Sequence, residues 1–221
     1  SIVGGAGARL FRGIVGDGDG NGSPDVVAAD LDGGYLVLRS NGRTGLGDGS
    51  FAERAEDPWV IGDAWGIGIG DFDGNHVPDV FAASYQPATP GGNDFVTSFV
   101  NGEILGLGTG ELSVAGQTNC GSGPTGFAFG DFDRDRILDA ALQILLGNGS
   151  GGRGDGTFAS GTTYATGSTI AEIAVADVDA DAILDIVLIN ETQLRVYQGQ
   201  GGAGRGDGTF TLLSSTSSHL N

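Results

Sequence analysis

Residues 70–84 read GDFDGNHVPDVFAAS: oxygen-bearing side chains at alternate positions, then a short apolar run. The stretch has three sisters, GDGDGNGSPDVVAAD at 16–30, GDFDRDRILDAALQ at 130–143 and ADVDADAILDIVLIN at 176–190. Their first aspartates, Asp17, Asp71, Asp131 and Asp177, lie 54, 60 and 46 residues apart. A second motif follows each: GLGDGSF ending at Phe51, GLGTGEL at Leu112, GRGDGTF at Phe158 and GRGDGTF again at Phe210. Recurrence at about 50 residues marks a repeat architecture, and four units account for nearly the whole chain.

Each unit reads as β. Before the aspartate loop, large and small residues alternate, as in Ile67-Gly-Ile69-Gly, Phe127-Ala-Phe129-Gly and Ile173-Ala-Val175-Ala. A period of two is a strand signal, and the small residues let sheets stack closely on that face. Apolar runs follow the loop at Val26–Ala29, Val80–Ala83 and Ile186–Ile189. A third set lies at Tyr35–Leu38, Phe95–Val100 and Leu194–Tyr197, and the GDGTF motif opens a fourth strand. No segment has a helical period. Four short strands per repeat of about 50 residues is the pattern of a propeller blade. The expected fold is therefore an all-β propeller, one domain over 1–221.

Composition agrees. The 44 glycines among 221 residues follow no Gly-X-Y period, which excludes collagen. Hydrophobic residues make up 39%, enough for a packed core. No apolar run approaches the roughly 20 residues of a membrane-spanning helix. With 28 acidic residues against 10 basic ones, all arginine, the net charge is −18. Such a surface repels phosphate and argues against nucleic acid as a partner. It also strains a compact fold by self-repulsion unless cations offset it.

The aspartate loops supply a place for those cations. Oxygen donors stand at positions 1, 3, 5 and 9: Asp17, Asp19, Asn21 and Asp25; Asp71, Asp73, Asn75 and Asp79; Asp131, Asp133, Asp135 and Asp139; Asp177, Asp179, Asp181 and Asp185. Position 7 (Ser23, Val77, Ile137, Ile183) has no common side-chain chemistry, so its backbone carbonyl is the expected ligand. Converging carboxylates repel unless a hard cation sits among them, and calcium accepts six to eight oxygens in flexible geometry. Magnesium demands a stricter octahedron and is the second choice. Without a Cys or His cluster, zinc is disfavoured. The loops hold 14 of the 28 acidic residues, and up to four bound Ca²⁺ would bring −18 to −10.

The pairing of D-x-D-x-[DN]-x-x-x-D with a G-x-G-D-G-T-F-like motif resembles the FG-GAP / VCBS repeat family. That resemblance covers all four units. It implies the calcium-bearing β-propeller of integrin α-subunits and of several fungal and bacterial lectins, with calcium on the loop positions named above. It also implies a secreted, extracellular setting and a non-catalytic binding role toward a glycan or an extracellular protein.

The chain departs from that pattern in several places. The family's glycine at loop position 6 is matched by Gly22 but replaced by His76, Arg136 and Ala182. Arg134 and Arg136 should weaken cation binding in loop three. Unit three is short, with only 19 residues from Asp139 to Phe158, and is expected to fall short of a full strand hairpin. Family propellers usually have about seven blades. Four units therefore leave open a ring closed on itself, a ring shared by two chains, or part of a longer protein. The longer span joining the two chain ends suggests an N-terminal strand that completes the last blade.

Carbohydrate is the favoured ligand, making the chain a lectin or adhesion module. Trp59 and Trp65 are the candidate sugar-stacking residues, with Tyr35, Tyr85, Tyr164 and Tyr197 as lesser ones. The alternatives are a self-assembling structural protein or an accessory domain of a polysaccharide-active enzyme. The RGD tripeptides at 153–155 and 205–207 read as repeat turn chemistry with an added Arg. Asn21, Asn148 and Asn190 stand in Asn-x-Ser/Thr sequons, with Asn148 the best acceptor. Catalysis has little to stand on: His76 lies in a metal loop, His219 in the terminal tail, and Cys120 in an expected loop with no activating group nearby. Cys120 is alone, so no internal disulfide forms. The chain has no Met and starts at Ser1, which fits removal of an export signal or trimming equally.

Overall fold

The computed structural model describes residues 10–17, 21–30, 34–43, 46–57, 63–85, 94–104, 107–121, 127–141, 144–162, 164, 170–190 and 192–217. Sixteen strands form four antiparallel four-stranded sheets, and there is no helix among the described residues. Sheet 1 contains β1 (Leu10–Gly16), β2 (Asp25–Asp30), β3 (Gly34–Arg43) and β4 (Leu46–Asp57). Sheet 2 contains β5 (Asp63–Gly70), β6 (Asp79–Tyr85), β7 (Asp94–Ile104) and β8 (Leu107–Gly121). Sheet 3 contains β9 (Ala128–Gly130), β10 (Asp139–Ala141), β11 (Ile144–Ser150) and β12 (Arg153–Ser160). Sheet 4 contains β13 (Ile170–Ala176), β14 (Asp185–Asn190), β15 (Gln193–Gly202) and β16 (Arg205–Ser217). Within each sheet the strands run in sequence order, so each repeat is a meander, consistent with a propeller-like arrangement.

Two sequence expectations meet the structure here. Among the described residues, β1 pairs with β2 of its own sheet and sheet 4 consists of β13–β16; the expected N-terminal strand on the last sheet falls on residues 1–9, outside the described residues. Unit three does form its hairpin: β11 pairs with β12, and its missing length falls on β10 and β11, which have 3 and 7 residues against 6 and 10 for β14 and β15 of unit four.

The repeat is exact in register. The residue before each acid loop pairs with the loop's ninth residue: Gly16 with Asp25, Gly70 with Asp79, Gly130 with Asp139 and Ala176 with Asp185. The second motif begins the fourth strand. Its final apolar residue pairs back onto the third strand as Ser40–Phe51, Asn101–Leu112, Gly147–Phe158 and Gly199–Phe210, each beside a bulge. Gly151 and Gly152, and Ala203 and Gly204, form the two-residue turns of units three and four with both φ positive, the geometry that tight hairpins require.

The core is three layers, one between each pair of consecutive sheets. Val27, Ala29, Ile67, Val80, Ala82 and Phe99 fill the first. Phe72, Phe81, Ala83, Val96, Cys120, Ala140, Leu145 and Phe158 fill the second. Phe132, Ile173, Ile186, Leu188, Tyr197 and Phe210 lie in the third. Small residues on the first strand of one sheet receive large ones from the next, as their alternation predicts. A Cβ added at Gly66 or Gly68 would sit 2.4 Å from the ring of Phe127 or Phe129. Cys120 is not in a loop: it lies buried in β8, where its Sγ donates to Asp94 O at 3.2 Å. Burial, with the nearby Asp94 charge, pushes its thiol up to about 12, which makes it an unreactive packing residue.

Gly68→Val should therefore destabilise the fold by about 2–3 kcal/mol through overpacking against Phe129. Gly13→Ala, whose added carbon would meet nothing closer than 3.7 Å, should cost less than half as much. Urea denaturation of the two variants checks the ranking.

Candidate metal centres

Each acid loop spans the link between the first two strands of its sheet, and its ninth residue is fully buried in every unit: Asp25, Asp79, Asp139 and Asp185. This carboxylate ties the loop to the sheet. Asp79 Oδ2 accepts from Phe72 N at 2.8 Å and Asp73 N at 3.2 Å, while its Oδ1 accepts from Asn101 N on β7 at 2.8 Å. Asp139 takes Phe132 N and Gly147 N at 2.7 and 2.8 Å. Asp185 takes Val178 N and Gly199 N at 2.8 and 2.9 Å. In loop one, Ser40 N donates to Asp25 Oδ1 at 2.8 Å.

The first residue folds the loop over itself. Asp17, Asp71, Asp131 and Asp177 each accept a backbone N–H from position 6: Gly22, His76, Arg136 and Ala182, at 2.7–3.0 Å. All four of those residues have positive φ, a conformation that glycine adopts freely and that His76, Arg136 and Ala182 meet here under strain. Position 5 closes the next turn: Asn21, Asn75, Asp135 and Asp181 accept from the N–H of position 7 at 2.7–2.8 Å.

These bonds gather the carboxylates. Asp71, Asp73 and Asp79 offer oxygens within 4.8 Å of one another, as do Asp131, Asp133 and Asp139, and Asp177, Asp179 and Asp185. Each trio could hold a metal ion. The structure thus brings together positions 1, 3 and 9, while Asp135 and Asp181 stand outside the trios. Asp19 of loop one lies outside the described residues. The side chains of Val77, Ile137 and Ile183 are buried in the core, so at position 7 only the backbone carbonyl remains for an ion; Ser23 is equally buried.

Electrostatics point the same way. Burial raises Asp79 and Asp139 to about 7, against the pull of their backbone donors and with neighbouring carboxylates adding to the rise. Burial also raises Asp135. Asp17 Oδ1 and Asp131 Oδ1 are buried without a hydrogen-bond partner. Buried acceptors of this kind are costly unless something fills their coordination, and an oxygen-only donor set suits a hard cation. Arg134 reaches from loop three to the next sheet. Its Nη2 donates to Ala182 O of loop four at 2.8 Å.

The second motif has a role that its turn chemistry did not disclose. Arg153 Nε donates to Asp73 O at 3.2 Å, and Arg205 Nε to Asp133 O at 3.4 Å, so each RGD arginine reaches into the acid loop of the preceding sheet. The aspartates of these motifs turn inward instead: Asp155 and Asp207 each accept from the N–H and hydroxyl of the Thr two residues on. Those bonds hold Asp207 below the usual carboxylate range, and Ser50 does the same for Asp48. The sequence signal was there, since Arg precedes Gly-Asp-Gly only in units three and four. An open depression of about 590 Å³ beside the β11–β12 turn is lined by Asn148, Ser150, Arg153 and Asp155. There Asn148 Nδ2 is already bonded to Thr157 Oγ1 at 3.0 Å.

Of the aromatic candidates, Tyr197 is buried and stacks edge-on with Tyr164 at 5.7 Å, and the Tyr164 hydroxyl accepts from Phe210 N at 2.8 Å. Both are packing residues, not sugar platforms. Trp65 is half-buried on β5. Trp59 and His219 lie outside the described residues, as do the side chains of Tyr35 and Tyr85. His76 is exposed, with Nδ1 3.5 Å from Asp71 Oδ2. Asn190 is buried, and its Oδ1 caps Thr192 and Gln193, which leaves its sequon occupied by turn bonding. No helix is long and apolar enough to cross a membrane among the described residues. Compared with family models and with curated proteins, the chain matches none.

Asp79→Ala should destabilise the protein even in EDTA, by about 2–4 kcal/mol, because it strands two buried backbone donors. Asp73→Ala should leave the EDTA stability within about 1 kcal/mol of the parent and lose the response to calcium; paired urea melts with and without the ion separate the two. A pH effect follows from the raised carboxyls. With chelator present, the stability that protonated Asp79 and Asp139 contribute is full below the unfolded value of 3.8 and is lost as pH rises through about 7. The urea midpoint in EDTA should therefore be higher near pH 5 than near pH 8, and calcium should reverse the order.

Proposed function

We propose that this chain is an extracellular, calcium-stabilised β-propeller module of the FG-GAP / VCBS kind. Its task is binding, not catalysis, with carbohydrate as the ligand class. The observation that carries the calcium reading is the carboxylate trio recurring at one position of three sheets, each within 4.8 Å. Asp71, Asp73 and Asp79 would hold one ion, Asp131, Asp133 and Asp139 a second, and Asp177, Asp179 and Asp185 a third. Asp17, Asp19 and Asp25 would form the fourth by the same spacing. The orphaned Asp17 and Asp131 oxygens and the raised position-nine carboxyls support a cation there. Calcium is preferred over magnesium because loops of this spacing offer many oxygens at adaptable distances.

Bound ions would neutralise the mutual repulsion of each trio and lock the loop that its buried aspartate already ties to the sheet. The binding reading rests on the motif resemblance and on the principle that loops on a rigid scaffold carry recognition. Its carbohydrate form rests further on Trp59 and Trp65, since aromatic faces stack on sugar rings.

Each site at a hundredfold excess of calcium over Kd should add about 2.7 kcal/mol to stability. Chelation should thus lower the melting temperature by many degrees, and an unchanged melt in EDTA would refute the metal assignment. A glycan array probed in calcium and again in EDTA tests the ligand. Binding to a defined sugar that is lost in EDTA is the expected result. No binding in either condition removes the carbohydrate reading and leaves the calcium reading standing.

A further inference from the structure

The basic residues of this acidic chain are not spread evenly. Four of its ten arginines, Arg134, Arg136, Arg153 and Arg205, stand exposed at the end of sheets 3 and 4 that carries the acid loops and the β11–β12 and β15–β16 turns. They come in two pairs, one at each turn. At the first turn, a Cβ on Gly152 would sit 3.1 Å from Arg136 Cδ. Arg153 follows Gly152 in the chain and lays its stem on loop two, where a Cβ on Gly74 would sit 2.9 Å from Arg153 Cγ. At the second turn, Arg134 Nη1 lies 3.7 Å from the place a Cβ would take on Gly204, the residue before Arg205.

Three of the four are steered by backbone carbonyls: Arg153 by Asp73 O, Arg205 by Asp133 O and Arg134 by Ala182 O. None of the four forms an ion pair with a carboxylate among the described residues. The acids nearby are engaged elsewhere. Asp155 and Asp207 accept from Thr157 and Thr209, while Asp131, Asp133 and Asp139 converge on one another inside loop three. A neutral carbonyl orients a guanidinium without cancelling its charge, and one such bond uses one of its five donors.

We infer that these arginines form a binding site for an acidic polysaccharide and take its carboxylate or sulfate groups. The planar guanidinium matches such oxyanions with two parallel hydrogen bonds. The pair at the unit-three turn recurs at the unit-four turn, so a polymer with anionic groups at intervals fits better than one small anion. An anion arriving here also meets the field of a chain with net charge −18. A single exposed contact is too weak against that field, and several contacts on one polymer supply the difference. Nucleic acid, with a charge every ~1.7 Å, is repelled more strongly than a sparsely charged glycan. Beside the first turn, Asn148 and Ser150 line the same open depression as Arg153, placing an amide and a hydroxyl where sugar hydroxyls need partners. That the polymer is a glycan rests on the carbohydrate reading above; that it is anionic rests on the arginines.

The test is titration calorimetry on the full chain, in calcium at low salt, with three polymers of one backbone: dextran sulfate, carboxymethyl-dextran and neutral dextran. Binding to an anionic polymer and none to neutral dextran is the expected result, and the better of the two anionic polymers identifies the group. Arg153→Gln and Arg205→Gln should each weaken binding about threefold, the scale of one exposed charge pair, and replacement of all four arginines should abolish it. Arg136→Gln should weaken it equally without touching a loop carbonyl, and it carries the test should the fourfold variant lose its β-sheet circular dichroism. Arg195→Gln, in the middle of β15, removes the same charge and should leave the affinity unchanged. Failure of both anionic polymers to bind overturns the inference. So does equal binding of neutral dextran, or an Arg195→Gln loss as large as that of Arg136→Gln. Binding that chelation abolishes and the arginine variants retain would belong to the acid loops and overturns it too. A neutral sugar bound on the glycan array, with neither anionic polymer bound, refutes this inference alone and leaves the carbohydrate reading standing.

Discussion

A carboxylate that never reaches solvent holds each repeat together. Asp25, Asp79, Asp139 and Asp185 sit at the ninth position of their loops. Where both ends of the bridge are seen, they accept one backbone N–H from the start of the loop and another from the third strand. Without this bridge a loop of eight residues between two strands would carry several buried donors with nowhere to go. With it, the loop is compelled to double back, and the side chains of positions 1 and 3 are brought against the bridging carboxylate. The fold's organising bond and its charge problem are therefore the same atoms. Burial raises Asp79 and Asp139 to about 7 for that reason, and either a proton or a cation among the oxygens relieves it.

Between sheets the governing constraint is steric. Gly66 and Gly68 present bare backbone to Phe127 and Phe129, and Gly154 and Gly206 do the same to the carbonyls of Phe72 and Phe132. At these positions glycine serves distance: it lets backbone lie against ring or carbonyl where a methyl group would not fit. The acid loop of one sheet and the glycine motif of the next thus form one joint, and the arginines at 153 and 205 reach from the second into the first. The acid loop and the sheet stacking are coupled through this joint, because anything that orders Phe72 or Phe132 orders the surface on which the following sheet rests.

Much of the fold was legible in the residues. The period of two in Ile67-Gly-Ile69-Gly gave strand and stacking face together, because side-chain alternation in a strand is fixed by the backbone. The aspartate spacing gave the loops, since alternate positions in a tight turn share a side. Other features were hidden. Cys120 read as a loop residue because its Gly-rich neighbours mask a strand, and Tyr164 and Tyr197 read as surface aromatics because tyrosine serves both sites equally. The short third unit looked deficient because length cannot say which strand gives up residues; β10 and β11 did, while the pairing of β11 with β12 that carries Phe158 was kept.

Sequence by itself determined the repeat, the strands and the acid loops with their crowded carboxylates, all of which depend on contacts within some 20 residues and on fixed backbone periodicities. Only the tertiary structure decided which glycines meet which rings and that the RGD arginines serve the neighbouring loop. Those outcomes depend on how one repeat is placed on the next, a rigid-body relation of about 50 residues' separation that no local pattern encodes.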